Sequence, residues 1–161
     1  MTVAADVVAL LTERGLTVAV AESLTGGLLV AELIAIPGAS AVVRGGVVAY
    51  ATALKHSLLG VSAPLLAAHG PVHPEVASQM ASGVRRHLAI DGSFADVGLS
   101  TTGVAGPGPQ DGHPAGTVFV GVAIAEDVRV LRLSLDGDRD GIRRAVVSES
   151  LVLLRSRLQS V

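Results

Sequence analysis

The sequence predicts a three-layer α/β/α sandwich on a mixed sheet, folded as a single domain over residues 1–161, and three observations carry that expectation. Helical and strand-like segments alternate through the first half, which is the pattern of helices laid on both faces of a mostly parallel sheet. Two strand-like segments then follow one another directly, which adds an antiparallel pair and makes the sheet mixed. No linker, low-complexity tract or internal repeat divides the chain, and its length is that of one domain.

The elements follow in order. Residues 2–14 place Val3, Val7, Leu10 and Leu11 at helical spacing and stop at Gly15. Residues 16–21 are short and rich in β-branched side chains, as a buried strand is. Residues 26–36 read as a helix closed by Pro37-Gly38, and residues 42–51 as a strand interrupted by Gly45-Gly46. A short helix is expected over 63–69 and a longer one over 74–88, with proline in its first turn. Residues 94–102, 116–125 and 128–135 are strand-like, the last two joined as a hairpin across Glu126-Asp127. Residues 140–158 close the chain as an amphipathic helix.

Composition limits the functions open to such a chain. Half of the residues are hydrophobic and 2% aromatic, so the core is built from Ala, Val, Leu and Ile. The formal net charge is −2 and no stretch concentrates Lys or Arg, so no positive stripe exists to bind nucleic acid by releasing counterions. The absence of cysteine excludes disulfides, thiolate catalysis and cysteine-based metal sites. Mean hydropathy is high at +0.59, yet the apolar run from Gly26 to Gly38 contains Glu32 and is too short to span a bilayer. With no basic segment ahead of an apolar one at the N-terminus, the expected location is cytoplasmic.

Four segments hold residues suited to chemistry. In Glu22-Ser23-Leu24-Thr25-Gly26-Gly27 a strand end turns directly into a helix start, where unpaired N–H groups favour anions. Ser23 stands exposed at that turn as a nucleophile, or else Ser23 or Thr25 simply caps the helix. The second segment holds Lys55, the only lysine beside eleven arginines, with the only tyrosine, Tyr50, five residues earlier. Arginine supplies charge but does not lose its proton near neutral pH, whereas a buried lysine does. A neutral amine and a phenol together can take and return the proton of a serine hydroxyl. The competing reading makes Lys55 a solvated surface charge.

Third, Thr101-Thr102-Gly103-Val104-Ala105-Gly106-Pro107-Gly108 runs from a strand into a loop of small residues able to wrap a ligand. Fourth, Asp136-Gly137-Asp138-Arg139-Asp140-Gly141 imitates the opening of a calcium loop, but Val147 stands where the bidentate glutamate belongs. There Asp138 or Asp140 caps a helix, and Arg139 and Arg143 are left to meet phosphate, a carboxylate or neighbouring acids. The five histidines show no metal-ligand spacing; His56, beside Lys55, is the one placed to shuttle a proton.

Taken in order, Glu22-Ser23-Leu24-Thr25-Gly26-Gly27, Pro37-Gly38-Ala39-Ser40, Gly46-Val47-Val48-Ala49-Tyr50 with Lys55, Leu59-Gly60-Val61, Thr102-Gly103-Val104-Ala105-Gly106-Pro107 and Gly137-Asp138-Arg139 resemble the CinA C-terminal domain family. That family comprises the nicotinamide-nucleotide amidohydrolases, and the resemblance extends over nearly the whole chain. It implies hydrolysis of the carboxamide of nicotinamide mononucleotide to nicotinate mononucleotide and ammonia, a step of pyridine nucleotide salvage. It also implies homo-oligomers and a small-molecule nucleotide as partner, and hydrolysis by a serine and a lysine requires no cofactor. At the matching positions Ser23 is the nucleophile, Lys55 its base and Tyr50 a helper. Glu22, Thr25, Gly26, Gly27, Gly46, Thr102, Gly103, Ala105, Gly106 and Arg139 form the binding set. His113-Pro114-Ala115-Gly116-Thr117 and Pro71-Val72-His73 depart from the family pattern and bear on substrate fit. The competing function is a non-catalytic nucleotide-binding or regulatory module of the same fold.

Overall fold

A computed structural model describes residues 1–161 as five strands and six helices. Strand β1 (Val18–Glu22) lies between β2 (Val43–Val48) and β3 (Val97–Gly103), parallel to both. β4 (Thr117–Ile124) and β5 (Asp127–Ser134) extend the sheet antiparallel, giving the order β2-β1-β3-β4-β5. The sheet is mixed and carries helices on both faces, as the alternation of elements predicts.

Helices α1 (Val3–Arg14), α2 (Leu28–Ile34) and α6 (Arg139–Gln159) cover one face over a core containing Leu11, Val20, Leu29, Leu99, Val120, Ile142 and Leu154. The opposite face is covered by α5 (Pro74–His87), with α3 (Thr52–Leu59) and α4 (Ala63–His69) packed around it over Ala21, Leu59, Val76, Met80 and Val84. A sheet clothed on both faces needs nearly continuous apolar strands, and every residue of β1 is buried. No helix is long and apolar enough to cross a membrane.

Two glycines bring α5 close to its neighbours. A Cβ on Gly98 would lie 1.9 Å from the Ala81 carbonyl oxygen, and one on Gly83 would lie 1.9 Å from that of Leu59. The first contact seats α5 on the sheet; the second seats the end of α3 on α5. Because α3 carries Lys55, the close approach at Gly83 helps to fix the depth of that amine.

The sequence assigns residues 42–51 to one strand, but β2 ends at Val48 and α3 begins at Thr52. Helix α3 is absent from the sequence-level expectation. Its inward face is read by Leu59 together with Lys55, and a lysine at a core position hides the apolar periodicity that would reveal the helix. The β4–β5 turn falls at Ala125-Glu126, one residue before the expected place, with Ala125 in the left-handed region (φ 51°).

Candidate active site

The sheet delivers Ser23 to the carboxyl end of β1, where the chain enters a tight turn before α2. The Ser23 N–H donates to the Thr101 carbonyl at 3.1 Å on the neighbouring strand, and the Gly26 N–H donates back to the Ser23 carbonyl at 3.1 Å. Beneath the turn the hydroxyls of Thr25 and Thr101 share a hydrogen bond of 2.9 Å, both residues being buried. Gly26 (φ 57°) and Gly27 (φ 102°) take left-handed conformations that let the chain reverse into the helix.

Lys55 is the largest fully buried side chain, with 1% of its surface exposed. Its Nζ lies 3.0 Å from Ser23 Oγ, 2.7 Å from the Ala49 carbonyl oxygen and 3.4 Å from the Tyr50 carbonyl oxygen. An ammonium has three protons for these three acceptors. A neutral amine keeps two N–H bonds for the carbonyls and turns its lone pair toward the serine hydroxyl. Burial strips water from the charged form and lowers the pKa from the usual 10.5 to about 8. At pH 7 the ammonium therefore still predominates, by about ten to one. The expectation of an uncharged amine is corrected to this extent: the neutral base is a minor species at pH 7 and dominates only above about pH 8.

Ser23 and Lys55 open into a cleft of about 340 Å³ that Leu24, Gly103, Ala105, Gly106 and Arg139 also line. Another groove of about 350 Å³ runs between α1, α2 and α6, but its polar lining of Thr2, Glu32, Arg144 and Ser148 contains no activated nucleophile. The chemistry points to the first cleft. Its walls present unusual donors: the backbone N–H groups of Leu24, Ala105 and Gly106 have no acceptor in the protein, although all three residues are buried. Buried amides are nearly always paired, so bare ones at a cleft wall are suited to a ligand oxygen.

The remaining residues of the expected set fall in different places. Arg139, the first residue of α6, donates to the Gly106 carbonyl at 2.6 Å and to the Tyr50 hydroxyl at 3.1 Å, closing the rim of the cleft. Tyr50 is 62% exposed, and its hydroxyl reaches neither Ser23 nor Lys55; only its backbone carbonyl touches the amine. Glu22 is buried, and its carboxylate accepts the N–H groups of Leu29 at 2.7 Å and Val30 at 3.4 Å. Those helix-start donors, expected to hold an anion, are thus engaged by the protein's own carboxylate. Thr25, Gly26 and Gly27 shape the turn without lining the cleft. Gly46 sits in β2, where a Cβ would crowd Val30 at 3.1 Å, away from the cleft. The Thr102 hydroxyl donates to the Pro71 carbonyl at 2.7 Å and so holds the 71–72 segment as a wall.

Two further expectations change, and one left open is decided. Arg143, left open to phosphate, instead donates from Nε to the Leu24 carbonyl at 2.8 Å and from Nη2 to the Thr25 carbonyl at 3.3 Å. The His56 ring meets the Val61 carbonyl at 2.7 Å and lies outside the cleft, which removes it as a proton shuttle. Asp138, not Asp140, caps α6, accepting from the Gly141 N–H at 2.8 Å. Pro71 and Val72, which the sequence tied only to substrate fit, stand on the cleft wall, and sequence reasoning missed Pro109 and Gln110 there. Only the proline- and glycine-rich character of their loops signalled them.

Comparison with known proteins identifies the family and matches the fold. The family model described as the CinA C-terminal domain matches residues 1–158. The CinA-like protein of Frankia casuarinae is 49% identical across 94% of this chain and 34% of its own length. The CinA-like protein of Anaeromyxobacter is 48% identical across 95% of this chain and 36% of its own. The chain thus spans about a third of the length of these curated relatives. A crystal structure of a competence-damaged protein (CinA) superfamily member from Klebsiella pneumoniae superimposes with a TM-score of 0.92 at 30% identity, covering 99% of this chain and 97% of that one. The competence damage-inducible protein A of the same species gives 0.90 at 34%, covering 98% and 95%. The chain belongs to the CinA C-terminal domain family.

Proposed function

We propose that this CinA C-terminal domain hydrolyses the carboxamide of nicotinamide mononucleotide, releasing ammonia and nicotinate mononucleotide, with Ser23 as nucleophile and Lys55 as base. The observation that carries the reading is the 3.0 Å contact between a buried lysine amine of lowered pKa and a serine hydroxyl at the floor of a cleft. Such a pair is one of the known ways to activate a hydroxyl that is otherwise a weak nucleophile.

The reaction proceeds in two halves. Ser23 Oγ attacks the carboxamide carbon as its proton passes to Lys55 Nζ, and the carbonyl oxygen becomes an oxyanion. The bare Leu24 N–H, next in the chain after the nucleophile, receives that charge, with the Ala105 and Gly106 amides on the facing wall. Removing one donor of this type typically slows turnover about 100-fold or more. The C–N bond then breaks as Lys55 returns its proton to the departing nitrogen, which leaves as ammonia. Water attacks the resulting ester with Lys55 again accepting the proton, and Ser23 recovers it as the acid departs. No proton in this cycle has to come from Tyr50. Arg139, at the rim of the cleft, suits the phosphate, and its guanidinium favours that group over a neutral ring.

Ammonia release from nicotinamide mononucleotide by the purified protein tests the reading, with Ser23→Ala and Lys55→Arg as controls. Turnover is expected in the wild type alone, and kcat is expected to rise with pH about a midpoint near 8 as the amine loses its proton. Binding of the mononucleotide without turnover would support the regulatory-module reading instead. Equal turnover of free nicotinamide would remove phosphate recognition.

A further inference from the structure

Arg143 belongs to no part of the mechanism above, yet it reaches 119 positions back along the chain to the nucleophile turn. Its two hydrogen bonds end on consecutive carbonyls, Leu24 and Thr25, the two residues that immediately follow Ser23. We infer that Arg143 is a positioning residue: its guanidinium clamps the Ser23–Thr25 turn from the helix side and thereby holds the Ser23 hydroxyl on the Lys55 amine.

On the sheet side Thr101 grips the turn through its carbonyl and its hydroxyl. On the helix side the next residues are Gly26 and Gly27, which have no side chains and sit in left-handed conformations that resist no relaxation by themselves. Arg143 is the only side chain outside the sheet that bonds to the turn's backbone, and a planar fork suits two adjacent carbonyls. A Cβ on Gly26 would stand 3.4 Å from Nη2, so the guanidinium packs directly over the turn. The clamp also explains why two arginines recur four residues apart on α6. Arg139 and Arg143 lie on one face of the helix, the first fastening the Gly106 loop and the second the nucleophile turn. Both walls of the cleft are tied to the same helix end.

The inference rests on Ser23 being the nucleophile, so its test reads that hydroxyl directly as well as through turnover. The rate at which a fluorophosphonate probe labels Ser23 is measured for the wild type, Arg143→Ala and Arg143→Lys, beside kcat and KM for nicotinamide mononucleotide. Displacing a reacting atom by an ångström typically costs about 100-fold, so labelling and kcat are expected to fall by about 30- to 100-fold in Arg143→Ala while KM stays within about threefold. Added guanidinium is expected to restore labelling in Arg143→Ala. The rise of kcat with pH keeps its midpoint near 8, because Lys55 is untouched. Should Arg143→Ala lose its cooperative melting transition, Arg143→Lys decides: it keeps the charge, but a single ammonium cannot reproduce the planar fork, and a similar loss is expected. Unchanged labelling in a folded variant overturns the inference, as does a raised KM with kcat intact, which would make Arg143 a substrate contact. Ser23 labelling that falls in the variants while the wild type releases no ammonia from the mononucleotide upholds the clamp and rejects the proposed substrate.

Discussion

Replacing Lys55 by methionine removes the only fully buried amine and keeps most of the volume of its stem. In the wild type the amine titrates near 8 when folded and near 10.5 when unfolded. Between those values the unfolded chain binds more protons than the native one, so native stability rises with pH through this window and the full burial penalty applies below it. A shift of this size corresponds to about 3 kcal/mol. Against it stand the lost hydrogen bonds to the Ala49 carbonyl and to Ser23, worth about 1–2 kcal/mol together. Lys55→Met is therefore expected to be more stable than the wild type at pH 7 by about 1–2 kcal/mol, and this advantage shrinks by about 2–3 kcal/mol on going to pH 10. Urea unfolding of both proteins at the two pH values measures the difference, in which all other titrating groups cancel. A variant whose stability relative to the wild type does not change between pH 7 and pH 10 would refute the claim that the folded protein suppresses protonation of this amine.

Further substitutions probe the frame around the dyad. Glu22→Gln replaces a buried acceptor of two helix-start N–H groups by an amide that can satisfy them only in part, and should cost about 1–3 kcal/mol in urea unfolding. Gly83→Ala drives a methyl into the Leu59 carbonyl; a destabilisation of about 1–3 kcal/mol is expected, with slower probe labelling of Ser23 because α3 must move and carries Lys55. Arg139→Ala removes the charged group at the rim, and KM for the mononucleotide should rise about 10- to 100-fold, with a smaller fall in kcat as the Gly106 loop loses its tether, as steady-state ammonia release would report.

The alternation of periods made the layer order readable from the sequence, and the boundaries of β1, β4, α1 and α6 lie within a few residues of the expected ones. The solitary lysine among arginines singled out Lys55, and the strand-to-helix turn singled out Ser23. Their meeting at 3.0 Å was legible only as chemistry, because the helix that brings them together was not. Lys55 itself caused that failure: a charge at a buried position breaks the apolar pattern by which α3 would declare itself. The roles of Glu22 and Arg143 were hidden for another reason. Both act through backbone groups, Glu22 on the first turn of α2 and Arg143 on the nucleophile turn 119 positions away, and no side-chain periodicity encodes such bonds. Thr102 shows the same effect, since its hydroxyl is committed to Pro71 and not to the cleft.

Mass spectrometry of the intact protein during turnover reaches the centre of the account, the transfer of an acyl group to Ser23 by a neutral Lys55. Acid-quenched samples taken in the first turnovers with nicotinamide mononucleotide at pH 8 should contain protein heavier by the substrate less ammonia, with the added mass mapping to Ser23 after digestion. The adduct should vanish in Ser23→Ala and in Lys55→Arg. Ammonia released at full rate by Ser23→Ala, or an adduct on any other residue, would contradict it.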